Sequence, residues 1–555
     1  MAHGGSPGVE RAVSRRGRPI ASALAAVSAG WVYYQSGLPE YTKPAVQGSR
    51  AERAPRLGAS GPLRAHSANP RYFADGGGRA VVLAGSHTWS NLHDNGFGDP
   101  PPPFDCDGYL DFLVAQGHNF MRLWVWEQSR WGPWVSSDDY YCSPGPPYRR
   151  AGPDLALDGK PRFNLDLLDQ ANFDRLRDHV ARASEHGTNV AVMLFNGWSI
   201  DNRDSNLRRG NPWHGHPFNL GNNVNGVDGD PNSNDGGEET HQLSIPRITA
   251  YQEAYVRRVI DTVDEFDNGV YEVSNESYAS SRDWQYHLIA FIHDYEKRKP
   301  KRHPVGMTQY QWPGDNHELL RSPADWISPW EELPEFRYRD DPTAADRRKV
   351  VIVDTDHLWG IGGDRKWAWK SFLRGNNVSF MDGYDGAAVG AGAPAQWDVR
   401  LAGWKDIARD LLHRSPRPMG WRPDAEQWVS LRANIGYILA FAKKVDMSGM
   451  RPRPDLASTR YCLAREGGGA AEYLVYSEGA RDPVDVDLSG CTGVLQQEWF
   501  DPQSGKTRVG PAVRGGKKRS FNSPWGNDGV LYLHGSMGGE ARVEPARRPA
   551  EGAGR

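Results

Sequence analysis

The stretch YEVSNESY, residues 271–278, opens like a buried strand and closes on polar groups. Val270, Tyr271 and Val273 are the β-branched and aromatic residues that suit a sheet interior, whereas Asn275, Glu276 and Ser277 are not. A core strand that stops on an amide beside a carboxylate delivers both groups to one end of a sheet. The fold follows from how many other stretches of the chain do the same.

Working outward, seven further runs share that texture: RAVVLAGSHTW (79–89), NFMRLWVWE (119–127), NVAVMLFNGWS (189–199), PVGMTQYQW (304–312), the short ADWISP (324–329), KVVIVDTDH (349–357) and NVSFMDGYD (377–385). Each is apolar through its middle. Helical spacing fills most of the gaps, as in DGYLDFLVAQG (107–117), NLDLLDQANFDRLRDHVARASEHG (164–187), RITAYQEAYVRRVIDTVDEF (247–266), DWQYHLIAFIHDYEKR (283–298), DRKWAWKSFLRG (364–375) and EQWVSLRANIGYILAFAKKV (426–445). Strands buried on both faces belong to parallel sheets covered by helices. Eight such units predict a (β/α)8 barrel, an α/β fold, over residues 62–450. A doubly wound open sheet would want a glycine-rich phosphate turn after its first strand, and GSHTWSN (85–91) is not one. Beyond about Pro452 the strands become short and are separated by Gly, Asp and Pro, which predicts a small antiparallel β-sandwich over 451–545 and a tail over 546–555.

Residues 1–61 read as a signal-like segment and linker. RAVSRRGRPI followed by ASALAAVSAG has the order of a secretory signal, and Arg15-Arg16 hints at twin-arginine export. The expectation is a secreted or periplasmic protein, with the cytoplasm as alternative. No stretch reaches the roughly 18–20 apolar residues of a spanning helix. The net charge of -3 offers no basic field for nucleic acid. The four cysteines form no C-x-x-C pair; Cys106–Cys142 and Cys462–Cys491 could bridge in an oxidising compartment, or all four could be free thiols.

In this barrel type the C-terminal ends of the strands face the active site. They present His87 and Trp89; Arg122, Trp124 and Trp126; Trp198; Asn275 and Glu276; Gln309; and Asp354, Asp356 and His357. Carboxylates on strands four and seven would lie across the barrel mouth from each other. Hydrolysis of a glycosidic bond needs such a pair, one acid protonating the leaving oxygen while the other, ionised, attacks the anomeric carbon or activates water. Glu276 is the expected general acid/base and Asp354, where the apolar run ends, the expected nucleophile. Asp354 and Asp356 point the same way if the strand continues, and Asp356 and His357 would then bind substrate hydroxyls. Asn275 would reach the sugar 2-hydroxyl, and Arg122 would keep the nucleophile ionised. The 21 tryptophans offer flat apolar faces for sugar rings, with core packing as the alternative for each. Asn275-Glu276-Ser277 is also a glycosylation sequon, but it ends an apolar strand rather than lying in a loop.

At these residues the chain resembles the clan of retaining (β/α)8 glycoside hydrolases, with Asn275-Glu276 at the end of strand four, a carboxylate, Asp354, ending strand seven, and Arg122 on strand two. Within it the chain is most similar to bacterial apiosidase-like hydrolases, whose barrel precedes a β-sandwich described as collagen-binding; VDVDLSG (484–490), EWFDPQSGK (498–506) and DGVLYLHG (528–535) carry that likeness. The resemblance implies a carbohydrate substrate and no organic cofactor. One departure is that the clan's usual nucleophile is Glu, and Asp is shorter by about 1.5 Å. The pair could then open toward the spacing of an inverting enzyme, about 6.5–9.5 Å rather than about 5–5.5 Å. A non-catalytic glycan-binding protein with a disabled acid pair is the competing reading.

Asp228, Asp230, Asn232 and Glu239 occupy positions one, three, five and twelve of a calcium loop. Position six is Ser233 instead of glycine and no helix pair flanks it, so a solvated loop is the stronger reading and Ca2+ the alternative.

Overall fold

The computed structural model describes residues 61–131, 140–144, 147–201, 211–308, 310, 314–360, 362–384, 426–467, 470–479 and 483–535. The stretch expected to be signal and linker, except for Gly61, lies outside the described residues, as do the tail and Gln309. Eight parallel strands close into a barrel: β1 (Ala84–His87), β2 (Phe120–Leu123), β3 (Asn189–Asn196), β4 (Gly269–Asn275), β5 (Val305–Thr308), β6 (Trp326–Ser328), β7 (Val350–Asp354) and β8 (Asn377–Met381), the last pairing back onto β1 through Val378↔Ala84 to Met381↔His87. Every residue of these strands is buried, which is why they read as near-continuous apolar runs.

The barrel interior is filled in layers. At the N-terminal end Phe120, Ala191, Val270, Trp326, Val350 and Ile352 form one cluster with Leu63, Leu83 and Phe73. Phe73 comes from an antiparallel meander, Arg64–Ala65, Phe73–Ala74 and Ala80–Val81, which plugs this end. Trp326 lies across β5, where any Cβ on Gly306 would overlap its indole.

The outer helices are α1 (Cys106–Ala115), α2 (Gln170–Glu185), α3 (Pro246–Val263), α4 (Arg282–Glu296), α5 (Asn316–Arg321), α6 (Thr355–Trp359), α7 (Arg365–Leu373) and α8 (Glu426–Lys444). Aspartate N-caps start five of them, Asp105, Asp169, Asp315, Asp354 and Asp364 each accepting a backbone N–H of the first turn; such a cap contributes about 1 kcal/mol. The helix expected from Asn164 begins only at Gln170. Pro161–Leu168 is instead one arm of a hairpin with Tyr148–Leu155, and Asp169 marks the switch. Among the described residues no helix is long and apolar enough to cross a membrane.

The C-terminal strands are β9 (Arg451–Pro452), β10 (Cys462–Arg465), β11 (Glu472–Ser477), β12 (Val484–Asp487), β13 (Val494–Phe500), β14 (Thr507–Arg514), β15 (Lys518–Phe521) and β16 (Gly529–Gly535). A six-stranded antiparallel sheet in the order β9-β10-β11-β16-β13-β14 faces a two-stranded sheet, β12-β15. The strand period of two divides the larger sheet's residues. Cys462, Tyr473, Val475, Leu531 and Leu533 pack with Val484, Val486 and Phe521 of the smaller sheet. Leu463, Leu474, Tyr476, Val530 and Tyr532 join the cluster that includes Trp369 of α7 and Phe441 of α8. Phe500 lies against Trp369, Tyr437 and Phe441 at ring-centroid distances of 6.0, 5.1 and 5.3 Å. Arg365 adds a forked ion pair to Asp528 at 2.8 and 3.0 Å, and Tyr476 donates to the same carboxylate. The second sheet face is thus covered by the barrel's own helices.

All four cysteines are buried free thiols, so neither envisaged disulfide is present. Burial pushes the Cys106 and Cys462 thiols up to about 12, which keeps them protonated and inert.

Candidate active site

Above the apolar layer the barrel interior becomes charged. Arg122 of β2 is buried, and its five N–H groups are spread over four partners. Nε and Nη2 grip Glu272 at 2.9 and 2.6 Å, Nη2 also donates to Asn275 Oδ1 at 2.7 Å, and Nη1 reaches Asp354 at 3.3 Å and Asp356 at 3.2 Å. Burial alone would lower its pKa, but the charges of Glu272 and Asp354 raise it well above the usual value. The planar fork of arginine suits this divided task. Glu272 was not among the expected site residues because it lies in the middle of β4 rather than at its end. The available signal was a carboxylate two residues from Val270 on the same, inward face of a barrel strand.

The aspartate that ends β7 and the one two residues on, alike in the sequence, are set apart. Helix α6 starts at Thr355, so the strand period that would align them ends between them. Asp354 caps that helix, Oδ1 accepting Asp356 N–H at 2.9 Å, while His87 Nε2 lies 3.1 and 3.0 Å from its two oxygens. Its side chain is 1% exposed. Burial pushes this carboxyl up, but His87 and Arg122 outweigh it and hold the group well below the usual range. Asp356 is 9% exposed along its side chain and uses Oδ2 toward Arg122. Burial, the charge of Glu276 and that of Asp354 raise its pKa well above the usual value, against the opposing pull of Arg122. The charge of Glu276 is thus felt at Asp356.

His357 is buried, with Nε2 2.9 Å from Asn275 Oδ1 and Nδ1 2.7 Å from Ser328 Oγ. Burial and the nearby Arg122 charge lower its pKa well below the usual value. A neutral ring facing an amide oxygen carries its proton on Nε2 and accepts the Ser328 hydroxyl on Nδ1. Asn275 Oδ1 is thus held by His357 and Arg122, while Nδ2 turns toward Asn196 Oδ1 at 3.4 Å. His357 is a brace for Asn275 in this arrangement, not the expected hydroxyl binder.

Glu276 stands in the left-handed region at φ 47°. For a residue with a side chain this costs on the order of 1 kcal/mol or more and recurs at functional sites. Its N–H lies 3.4 Å from Thr308 Oγ1, which itself donates to Ser274 O at 2.7 Å. Gly197, just beyond β3, presses on this turn: a Cβ there would overlap the Glu276 carbonyl and Ser277 Cα.

The expected tryptophans form one wall. Trp126 lies 5.5 Å from Trp89, 5.8 Å from Trp124, 4.5 Å from Trp131 and 5.7 Å from Trp198. Trp124, also stacked on His87 at 5.5 Å, and Trp126 are sealed inside it; Trp89 and Trp198, each 9% exposed, are its accessible members. His87 is likewise sealed. His87, Trp124 and Trp126, expected at the site, are covered by neighbouring side chains.

In the 228–239 loop Asp228, Asp230 and Asn232 accept backbone N–H groups of Asp230, Asn234 and Asp235. Among the described residues the group of three acidic or imidazole side chains with mutually close donor atoms is Asp264, Glu296 and His303, at the opposite end of the barrel. There both His303 nitrogens are engaged, Nδ1 to Glu296 at 2.8 Å and Nε2 to Phe266 O at 2.9 Å.

No protein-family model and no curated protein match this sequence. Solved structures do share its fold. A glycoside hydrolase superposes with a TM-score of 0.51 at 13% identity, over 86% of this chain and 97% of the other. A family 5 glycoside hydrolase from Bacteroides vulgatus ATCC 8482 gives 0.50 at 13% identity, over 86% and 94%. The chain therefore has the closed eight-stranded barrel and antiparallel C-terminal sheets in a fold that it shares with glycoside hydrolases.

Proposed function

We propose that this protein is a glycoside hydrolase that cleaves a poly- or oligosaccharide by a two-carboxylate, retaining mechanism. The observation that carries the reading is a pair of carboxyl groups at the C-terminal mouth, Glu276 after β4 and Asp356 after β7, with Asp356 held by Arg122 at 3.2 Å. The charge of Glu276 raises the proton affinity of Asp356, so the pair disfavours a second negative charge. Arg122, 3.2 Å from Asp356, is the group that stabilises Asp356 as a carboxylate when the proton sits on Glu276.

Glu276 then donates that proton to the glycosidic oxygen as its bond to the anomeric carbon breaks. An Asp356 oxygen forms the ester bond to the same carbon. Glu276, now a carboxylate, takes a proton from water, whose oxygen displaces Asp356. We assign attack to Asp356 in place of the expected Asp354 because both Asp354 oxygens are already engaged, by Asp356 N–H, His87 and Arg122. Asp354 instead fixes Arg122 and the start of α6. Asn275 Nδ2 is the donor for the sugar 2-hydroxyl, and Trp89 and Trp198 supply the apolar face.

A panel of plant and bacterial polysaccharides, assayed for released sugar, tests the activity; no release from any of them overturns it. Azide then separates the aspartates. Asp356→Gly should be inactive and regain turnover with azide, yielding a glycosyl azide of inverted anomeric configuration. Rescue of Asp354→Gly alone would return the nucleophile to Asp354.

A further inference from the structure

Behind Glu276 runs a buried polar chain that the proton transfers do not use. Glu127, four residues past β2, accepts the Asn196 N–H at 2.7 Å. Two histidines from the long insertion between β3 and α3 reach the same carboxylate, His216 Nε2 at 3.3 Å and His241 Nε2 at 3.4 Å. Burial would push the Glu127 carboxyl up, but these imidazoles hold it down at about 2. His216 Nδ1 accepts the Phe218 N–H at 3.1 Å, so its Nε2 carries the proton toward Glu127. His241 lies flat on Trp284, with ring centroids 4.3 Å and planes 7° apart, and its Nδ1 is 2.9 Å from Ser277 Oγ. Ser277 Oγ is in turn 2.6 Å from Ser274 Oγ. The chain therefore ends on the two serines that flank Asn275 and Glu276. A second branch runs from Glu127 through Asn196 to Asn275 Nδ2.

We propose that Glu127 and His241 are positioning residues for Glu276, bracing the left-handed turn from which its carboxyl extends. The inference rests on the reading of Glu276 as proton donor. A left-handed Glu persists only where its surroundings over-determine it. Here Gly197 closes one side of the turn, Thr308 sits at its N–H, and the Glu127–His241–Ser277 chain supplies the remaining side. The insertion that carries His216 and His241 thereby contributes to the site without touching the reacting atoms.

The test uses the full-length protein and two variants. His241→Phe keeps an aromatic ring on Trp284 and removes the bond to Ser277; Glu127→Gln keeps the acceptor for Asn196 and removes the charge. Hydrogen exchange read by mass spectrometry should rise at least about 10-fold in the peptide covering 275–281, with peptides from β1 and β7 unchanged. Unchanged exchange at 275–281, or a uniform rise across the barrel, overturns the proposal. Aryl glycosides of the sugar released by the wild type give the second readout. With a 4-nitrophenyl leaving group kcat/KM should fall on the order of 100-fold, the scale of a misplaced catalytic group. With a 2,4-dinitrophenyl group, which departs without a proton, it should stay within about 3-fold. Equal losses on both substrates would mark the chain as merely structural. If the wild type cleaves no glycoside the functional reading fails, and the exchange experiment still decides the bracing.

Discussion

Arg122 and Glu272 form a forked ion pair at 2.9 and 2.6 Å in the middle of the barrel, and the remaining donors of the same guanidinium hold Asn275, Asp354 and Asp356. One side chain thus ties strands β2, β4 and β7 together beneath the mouth. Removing one partner of a buried pair costs about 3–5 kcal/mol, because the other charge is stranded. Glu272→Gln should lie toward the low end, since an amide oxygen still accepts from Arg122. Arg122→Met strips the counter-charge from three carboxylates and should cost more. Urea unfolding at neutral pH measures both, and a smaller loss for Arg122→Met would contradict this ordering.

His303 and Glu296 make a pH-dependent contribution at the opposite end of the barrel. Burial alone would lower the His303 pKa, but the hydrogen bond and charge of Glu296 raise it above the usual value. A raised folded pKa adds stability that is complete below the unfolded value, about 6.5, and is lost as pH rises through the folded value. Unfolding free energy measured from pH 5.5 upward should therefore contain a decline beginning near about 6.5 that His303→Gln removes. An unaltered profile in that variant would show that the pair does not titrate as described.

Phe500 packs between the six-stranded sheet and helices α7 and α8. Phe500→Ala should destabilise by about 3–5 kcal/mol and weaken the attachment of the sheets to the barrel. Calorimetry should then resolve two transitions where the wild type shows one. A single transition at the wild-type temperature would mean that Phe500 does not couple the two parts.

Much of this architecture was legible because a doubly buried strand must be apolar along its length. VVIVD and NVAVMLFN have few other uses, and the polar residues that end them stand out. The hairpin arm 161–168 was not legible, since Leu165 and Leu168 lie three residues apart, a helical spacing, and its partner, Tyr148–Leu155, carries mostly polar or exposed residues. The strands β14 and β15 carry little signal for a related reason: they are largely exposed and rich in Arg, Lys and Gly. Glu272 gives no strand-end signal because it lies inside β4. The roles of Asp354 and Asp356 could not be divided without knowing that α6 begins between them. His216 and His241 come from an insertion whose return to the barrel depends on tertiary packing rather than on any local pattern.

The most direct test of the central claim is the turnover of Glu276→Gln on whichever saccharide the wild type cleaves. General acid catalysis contributes roughly 100- to 10,000-fold, so the variant should lose at least about 100-fold in turnover while keeping its melting temperature and circular dichroism. Near-wild-type turnover in a folded Glu276→Gln protein would contradict the account.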